Sequence, residues 1–495
     1  MSICNISDLT LYTPSATMPW DTQRAHHFYR RIAYGASPSL LTDALTKTPS
    51  DLVDEIILEA QERPYIEDPG WGFWDYPRFN TDFEDTFGVS KSNFYKYARN
   101  ILEDRYTQEV IETRLTGKLL QFWHNHFVTQ EPSSSPPYWF QNFQTYSKYL
   151  IGNFKDFVHA VGRDSKMLRF LNGWENKSTA PNENYARELY ELFTLGVDNG
   201  YTEQDIEETA RALTGYNHRK DYLSAVYFSE ATFDNTEKTI FGRTGNWGYD
   251  DVINILFEEK GELIAEYICT KLYKFFVSYD VNEEIVNQLA TYFRANNFEI
   301  APVLSLLFKS EHFVDEANYG TIIRSPQDLI YGLVKDVPMN FGVSSTINDE
   351  QEYLVYLLRF KFRFVEATVF TFPNVAGWPG DEAWLSSITI LQRWDALGKT
   401  LANQGYNKEH FRTFIQSLFS TNEDVSVVSK GIVDHFIPQP LTHQQDYNNA
   451  LDVFKEGVPE VYFTDGTWNL EYEGITTQIF NLLKFIIKLP EFQLT

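Results

Sequence analysis

PNENYARELYELFTLGVDNGYTEQDIEETARALTG, residues 181–215, holds two amphipathic patterns on either side of a short glycine-containing turn. At about 100° per residue, Tyr185, Leu189, Leu192 and Phe193 share one face with Ala186. Glu183, Asn184, Arg187, Glu188 and Glu191 share the other. Pro181 suits a first helical turn, and Gly196 suits the left-handed residue after the last. In the second pattern Thr202 and Asp205 are spaced as a capping box and Gly215 closes the helix. Ile206, Ala210 and Leu213 form its apolar stripe, so the two helices are predicted to pack as an αα-hairpin across VDNGY. Asp198, Asn199 and Gly200 do not have the spacing of a calcium loop.

The polar face of the first helix has two readings. In one it is solvated, with Arg187 paired to Glu183 or Glu191. In the other, Asn184, Glu188 and Glu191, which fall at i, i+4 and i+7, line a cleft. Glu188 and Glu191 then serve as metal ligands or as a general acid/base pair.

Working outward, helical periodicity recurs almost everywhere, and the chain reads as mostly α: a multi-helix, bundle-like body with long aromatic-rich loops. Residues 25–60 predict three short helices, 93–127 one long helix, and 251–336 a further run. Residues 61–92, rich in Pro, Gly, Asp and aromatics, predict a long loop pinned by its rings. Residues 216–250 predict a small β-like excursion. The organisation expected is an N-terminal extension at 1–24 and a single large domain over 25–495, with possible sub-boundaries near 130–138 and 337–350.

Composition narrows the function classes. Lys and Arg total 42 against 68 Asp and Glu, a net charge of -26. A surface that acidic repels phosphate backbones and anionic lipid, which argues against nucleic acid as a partner. No stretch approaches the length and apolarity of a membrane span, so membrane insertion is not expected. Cys4 and Cys269 cannot form a disulfide framework or a four-thiolate zinc site. The first 20 residues have no basic and apolar leader pattern, so a cytoplasmic location is the default expectation.

FWHNHF places His124 and His126 two apart near a predicted helix end. If the helix runs through, the two imidazoles diverge by about 200°. If the chain becomes extended, they fall on one side and can chelate. With Glu188 and Glu191 nearby, the set would suit iron, manganese or zinc. PNVAGWPG, residues 373–380, combines stiffening prolines with Gly377, Gly380 and the large Trp378. It reads as a structural plug or as one wall of a pocket.

Taken together, RRIAYGAS, LLQFWHNHF, GNFKDF, PNENYARELYELFTLGV, GYTEQDIEETARALTGY, KTIFG, RSPQDL, PNVAGWPG and LPEFQLT resemble the bacterial family called domain of unknown function 1800. The matching segments run in order from about residue 27 to the C-terminus. The resemblance implies a largely helical protein of no settled activity, often exported and often encoded beside a sulfatase-like family, domain of unknown function 1501. An exported complex with that partner is what the association implies. The family's motif positions fall on Trp123, His124, His126, Asn182, Glu183, Asn184, Arg187, Glu188, Glu191, Gly377 and Trp378. Phe233-Asp234 stands where many members carry His-Asp, and the export signal of many members is missing.

Two functions follow as expectations. One is a soluble helical interaction or scaffold protein that binds a protein partner or an extracellular polymer. The other is a metal-dependent hydrolase or oxidase. There His124, His126, Glu188 and Glu191 hold the metal, Glu188 or Glu191 can instead act as base, and Arg187 and Asn184 orient the site. Trp123 and Trp378 are candidates for its pocket wall.

Overall fold

The computed structural model describes residues 7–74, 76–90, 93–130, 135–216, 226–337, 339, 349–362, 370–402 and 409–495. Among these residues the chain forms 22 α-helices, and its one sheet is a two-stranded hairpin. The protein is mostly α, as its periodicity predicts.

The hairpin of helices at 181–215 is present, with one change of geometry. The helix Asn184–Glu188 opens into a π-helical turn, Leu189–Thr194, and the partner helix is Glu203–Ala212. The amides of Leu195 and Gly196 both donate to the Tyr190 carbonyl, at 2.8 and 3.0 Å, so an extra residue is wound into the last turn. Gly196, at φ 98°, ends it. Thr202 and Asp205 form the predicted capping box: the Asp205 amide donates to Thr202 Oγ1 at 3.1 Å, and Asp205 Oδ2 accepts from the Thr202 amide at 2.9 Å. Tyr190 and Thr209 join the two elements by a buried 2.5 Å hydroxyl contact.

Three expectations are adjusted. Residues 61–92 are not all loop, because Tyr76–Phe87 is a helix. Phe79, Phe83 and Phe87 recur every four residues and pack on Trp71, Phe94 and Tyr97, so tertiary aromatic packing overrides the turn-rich composition around them. The long helix at 93–127 is broken into Phe94–Glu112 and Leu115–His126. Thr113 is extended there, and its hydroxyl donates to the Glu109 carbonyl at 2.6 Å and accepts from the Gly117 amide at 3.0 Å. That exchange closes one helix and opens the next. The excursion at 216–250 contains the antiparallel pair Lys238–Ile240 and Arg243–Gly245, turned at Phe241 and Gly242 with φ 49° and 80°. Both central residues at positive φ make a turn whose twist suits a hairpin. Residues 217–225 of that excursion lie outside the described residues, as do 131–134 and most of 337–350 at the two expected sub-boundaries.

One buried apolar cluster runs from Tyr12 to Phe492. Its spine is Tyr249–Phe276, a 28-residue helix of about 42 Å whose apolar residues face several directions because helices pack around it. Residues 7–21 lie against the body: Tyr12 is buried and its amide donates to the Lys309 carbonyl at 2.8 Å. Near the other end, Leu494 bridges to Ile323. No helix of the described residues is long and apolar enough to cross a membrane.

Thr202→Ala removes the cap of Glu203–Ala212 and is expected to cost about 1 kcal/mol. Amide exchange in that helix should quicken roughly fivefold while exchange elsewhere is unchanged, and Thr202→Ser should restore protection.

Candidate functional site

The helix Leu115–His126 runs through both histidines, and it sends their rings to different neighbourhoods. His126 Nε2 lies 3.1 Å from the Phe193 carbonyl, which can only accept, so that nitrogen carries the proton. Its Nδ1 is then the acceptor for Lys271 Nζ at 3.1 Å. Lys271 also reaches the Tyr267 hydroxyl at 3.3 Å, and Tyr267 donates to the Leu192 carbonyl at 2.9 Å. The π-helical turn thus supplies both carbonyls that anchor this His-Lys-Tyr chain. Burial lowers the pKa of Lys271 to about 8, and burial together with the Lys271 charge holds His126 well below the usual imidazole range.

His124 lies instead in an aromatic cage, with ring centroids 4.7 Å from Phe372, 4.9 Å from Phe370 and 6.3 Å from Trp378. Its Nε2 is buried with no hydrogen-bond partner among the described residues. Arg187 is shared by three carboxylates, Glu203 at 2.7 Å, Glu183 at 3.3 Å and Glu191 at 3.4 Å, and Asn184 is exposed. Glu188 is half-buried, and desolvation followed by repulsion from Glu191 raises its pKa. Among the described residues no three His, Cys, Asp or Glu side chains form a group that could hold a metal ion. The structure therefore does not bring His124, His126, Glu188 and Glu191 together. The continuous helix turns the imidazoles apart, and His126 has both ring nitrogens occupied. Trp123 is a core residue and not a pocket wall: it is fully buried, donates to the Leu150 carbonyl at 2.7 Å, and stacks on Phe127 and Phe154.

The residue between the two histidines does what neither of them does. Asn125 holds the backbone of Trp378 on both sides: Oδ1 accepts from the Trp378 amide at 2.7 Å, and Nδ2 donates to its carbonyl at 3.3 Å. The neighbouring Gly377 has φ 83°, and a Cβ there would stand 2.3 Å from Asn125 Oδ1. Gly380, at φ 74°, admits the Tyr279 hydroxyl, which accepts from the Asp381 amide at 2.8 Å. Both glycines are required by close approach as well as by backbone angle.

Held in this way, the 370–384 segment walls a cleft of about 540 Å³ lined by Phe372, Pro373, Trp378, Pro379 and Trp384, with Gln392 and Arg393 contributed by the helix Ser387–Leu401. Three lining atoms are buried without a partner among the described residues: Trp378 Nε1, Gln392 Oε1 and Arg393 Nη1. Trp378 and Trp384 also border a smaller inner chamber of about 70 Å³, lined by Arg31, Lys118, Gln121, Asn125, Lys274, Ser325 and Asp328. Lys118 forms an ion pair with Asp328. Burial alone would raise the Asp328 pKa, but Lys118 and the Ser325 hydroxyl hold it below the ordinary value.

Of the residues predicted from sequence, Trp378 therefore lines the cleft, His124 packs against it, and none of Asn184, Arg187, Glu188 and Glu191 belongs to its lining. Asn125, Arg31, Lys118, Asp328 and Arg393 were not predicted. Asn125 was within reach, since it sits inside the quoted His-x-His segment. Arg31 and Asp328 lie in RRIAYGAS and RSPQDL, two of the segments that carry the resemblance, and Asp328 completes a capping box with Ser325; Lys118 and Arg393 carry no local signal.

Two outcomes test this geometry. Asn125→Ala should loosen the 370–384 segment by about 1–3 kcal/mol, seen as faster limited proteolysis there and red-shifted Trp emission, with Gly377→Ala acting in the same direction. Stability should also report Lys271. Its folded pKa, about 8, lies below its ordinary value of 10.5. The unfolded chain then binds the proton more tightly, and the cost of burying the charge is full below pH 8. That cost disappears as pH rises toward 10.5, so stability gains across this window. Lys271→Met should lack that gain in denaturant titrations at pH 8 and 10.

The model of the family described as "Protein of unknown function (DUF1800)" matches residues 27–494. No curated protein and no solved structure matches the chain. The matched span covers the helical hairpin, both chambers and the segments that wall them, and the chain belongs to the DUF1800 family.

Proposed function

We propose that the protein is a binding protein that seats an apolar segment of a polypeptide partner in the Trp378–Trp384 cleft. The observation that carries this reading is the cleft wall itself. Phe372, Pro373, Pro379 and Trp384 give it aromatic and proline surface, and Thr389, Gln392 and Arg393 are polar residues of the same lining. That pattern matches a peptide backbone, with its alternating carbonyl and amide groups and apolar side chains.

The rim favours a polypeptide over a polysaccharide. The helix Ser387–Leu401 turns Thr389, Gln392 and Arg393 to the cleft, yet Ile388 and Leu391 are 67% and 60% exposed. Leu385, three residues before Ile388, is 39% exposed, which extends the stripe. A sugar chain would use the indole faces and leave this aliphatic stripe in water. A protein partner covers both. The family resemblance makes a sulfatase-like domain of unknown function 1501 protein the first partner to try.

Panning a displayed peptide library on the folded protein tests the reading. We expect an apolar, aromatic- or proline-containing consensus whose synthetic peptide binds with micromolar Kd. Trp384→Ala and Ile388→Asp should each weaken it about tenfold, by loss of roughly 1.4 kcal/mol. Absence of a consensus, or a peptide indifferent to both changes, refutes the proposal.

A further inference from the structure

The side chains of the cleft select a form of polypeptide, which rests on the binding role proposed above. Among the described residues every apolar member of the lining is an aromatic, a proline or Ala383: Phe372, Trp378 and Trp384 with Pro326, Pro373 and Pro379. No Leu, Ile, Val or Met of the described residues belongs to it. The rings of Phe372 and Trp378 lie 4.5 Å apart, centroid to centroid, and the half-buried Trp384 packs on the cluster that contains them. Pro373, Asn374 and Pro379 are exposed and form the rim. Asn374 Oδ1 accepts from the Ala376 amide at 2.8 Å, which leaves its Nδ2 as a donor at the rim.

A peptide docks on a protein as an added strand, as a helix in a groove or as a polyproline II segment. Strand addition needs a sheet edge, and the one sheet of the described residues, at 238–245, contributes nothing to the cleft. A helix presents long and branched side chains at i, i+3, i+4 and i+7, which interdigitate with side chains of similar shape. Flat rings and prolines offer few such holes. A polyproline II segment has the matching needs: ring faces for its pyrrolidines and outside donors for carbonyls that have no internal partner. It also arrives already ordered, so binding costs it little conformational entropy.

Charge narrows the partner further. Across 370–402 the charged residues are Asp381, Glu382, Arg393, Asp395 and Lys399. Arg393 is buried, and Lys399 is paired to Asp395 at 2.6 Å. Asp381 and Glu382 lie in the turn between the lining residues Pro379 and Ala383, and neither forms an ion pair among the described residues. Lys274 lines the inner chamber and not the cleft. The rim is therefore acidic, in a chain of net charge -26, and it favours a cationic neighbour. We propose that the partner's segment is a proline-rich stretch in the polyproline II form with Lys or Arg at one end. Its pyrrolidine rings lie against Trp384 and the rim prolines, and its basic end lies at Asp381 and Glu382. Leu385 and Ile388, exposed just beyond Trp384, meet apolar residues that flank the prolines.

Fluorescence anisotropy of labelled peptides with the full chain tests this. The probe is a run of about nine prolines, about 28 Å long as polyproline II, ended by a pair of arginines. A glycine–serine run of the same length with the same arginines, and the proline run ended by glutamates, are the controls. We expect the proline–arginine peptide to bind at least about tenfold more tightly than either control. Trp384→Ala should weaken it about tenfold, and Asp381→Asn with Glu382→Gln about threefold, with a flatter salt dependence. Asp381 has φ 49°, a backbone angle that Asn tolerates, and an unchanged Tm checks that the charge variant folds. Equal affinity of the proline and glycine–serine peptides, or of the arginine- and glutamate-ended ones, overturns the proposal. A proline-free consensus from panning that still depends on Trp384 also overturns it and leaves the cleft reading standing, whereas failure of every peptide ends both. Self-association in sedimentation that Ile388→Asp abolishes makes a second copy of the chain the occupant, and overturns it as well.

Discussion

The ion pair between Lys118 and Asp328 is the point to which distant parts of the chain are tied. Its two residues are 210 apart in sequence. Lys118 also lies over the ring of Tyr34 at 4.3 Å, and Asp328 caps its own helix through Ser325. Gln121, one turn along from Lys118, donates to the same Ser325 hydroxyl at 3.1 Å. Breaking a buried pair by removing one partner leaves a bare charge and is far more damaging than losing a surface bridge. The contact therefore holds the helix Leu115–His126 against Pro326–Asp336 in one fixed register, and the position of Asn125 follows from it.

From that register the cleft is built in short steps. Asn125 emerges at the last turn of the fixed helix and grips both polar groups of the Trp378 peptide unit. A single side-chain amide thus substitutes for a strand pairing and gives an irregular segment a defined position without secondary structure. His124, one residue before, fills the space beneath with an uncharged ring, because burial holds its pKa well down. The motif reads as metal chemistry by type. In place it is one amide clamp, one packing ring and one relay to Lys271.

The helical hairpin was legible because its signals are local. A capping box, a terminal glycine and an apolar stripe all lie within one or two turns of one another. The π-helical turn was not legible, since wheel arithmetic at 3.6 residues per turn assumes the geometry it seeks to find. The helix Tyr76–Phe87 was hidden by Pro77 and by the turn residues before it. Its Phe79 and Phe83 have meaning only once Trp71 and Phe94 are beside them. Trp378 could be picked out as a wall or plug from its flanking Gly and Pro, whereas Trp123 looked equivalent by residue type and is core.

The same distinction explains why the most polar stretch of sequence is not where the candidate site lies. Exposed charges on a helix find partners three or four residues away, so Arg187 with Glu183 and Glu191 is dense and conspicuous in sequence. Buried charges cannot be neutralised by water, so their partners must be brought from wherever the fold can supply them. Arg31, Lys118, Arg324 and Arg393 come from four separate segments of the chain, and each looks like an isolated surface cation when read alone. In the fold all four are buried, Lys118 against Asp328 and the three arginines against backbone carbonyls and polar side chains. The density of polar residues at 181–196 is therefore no guide to where the fold buries its charge.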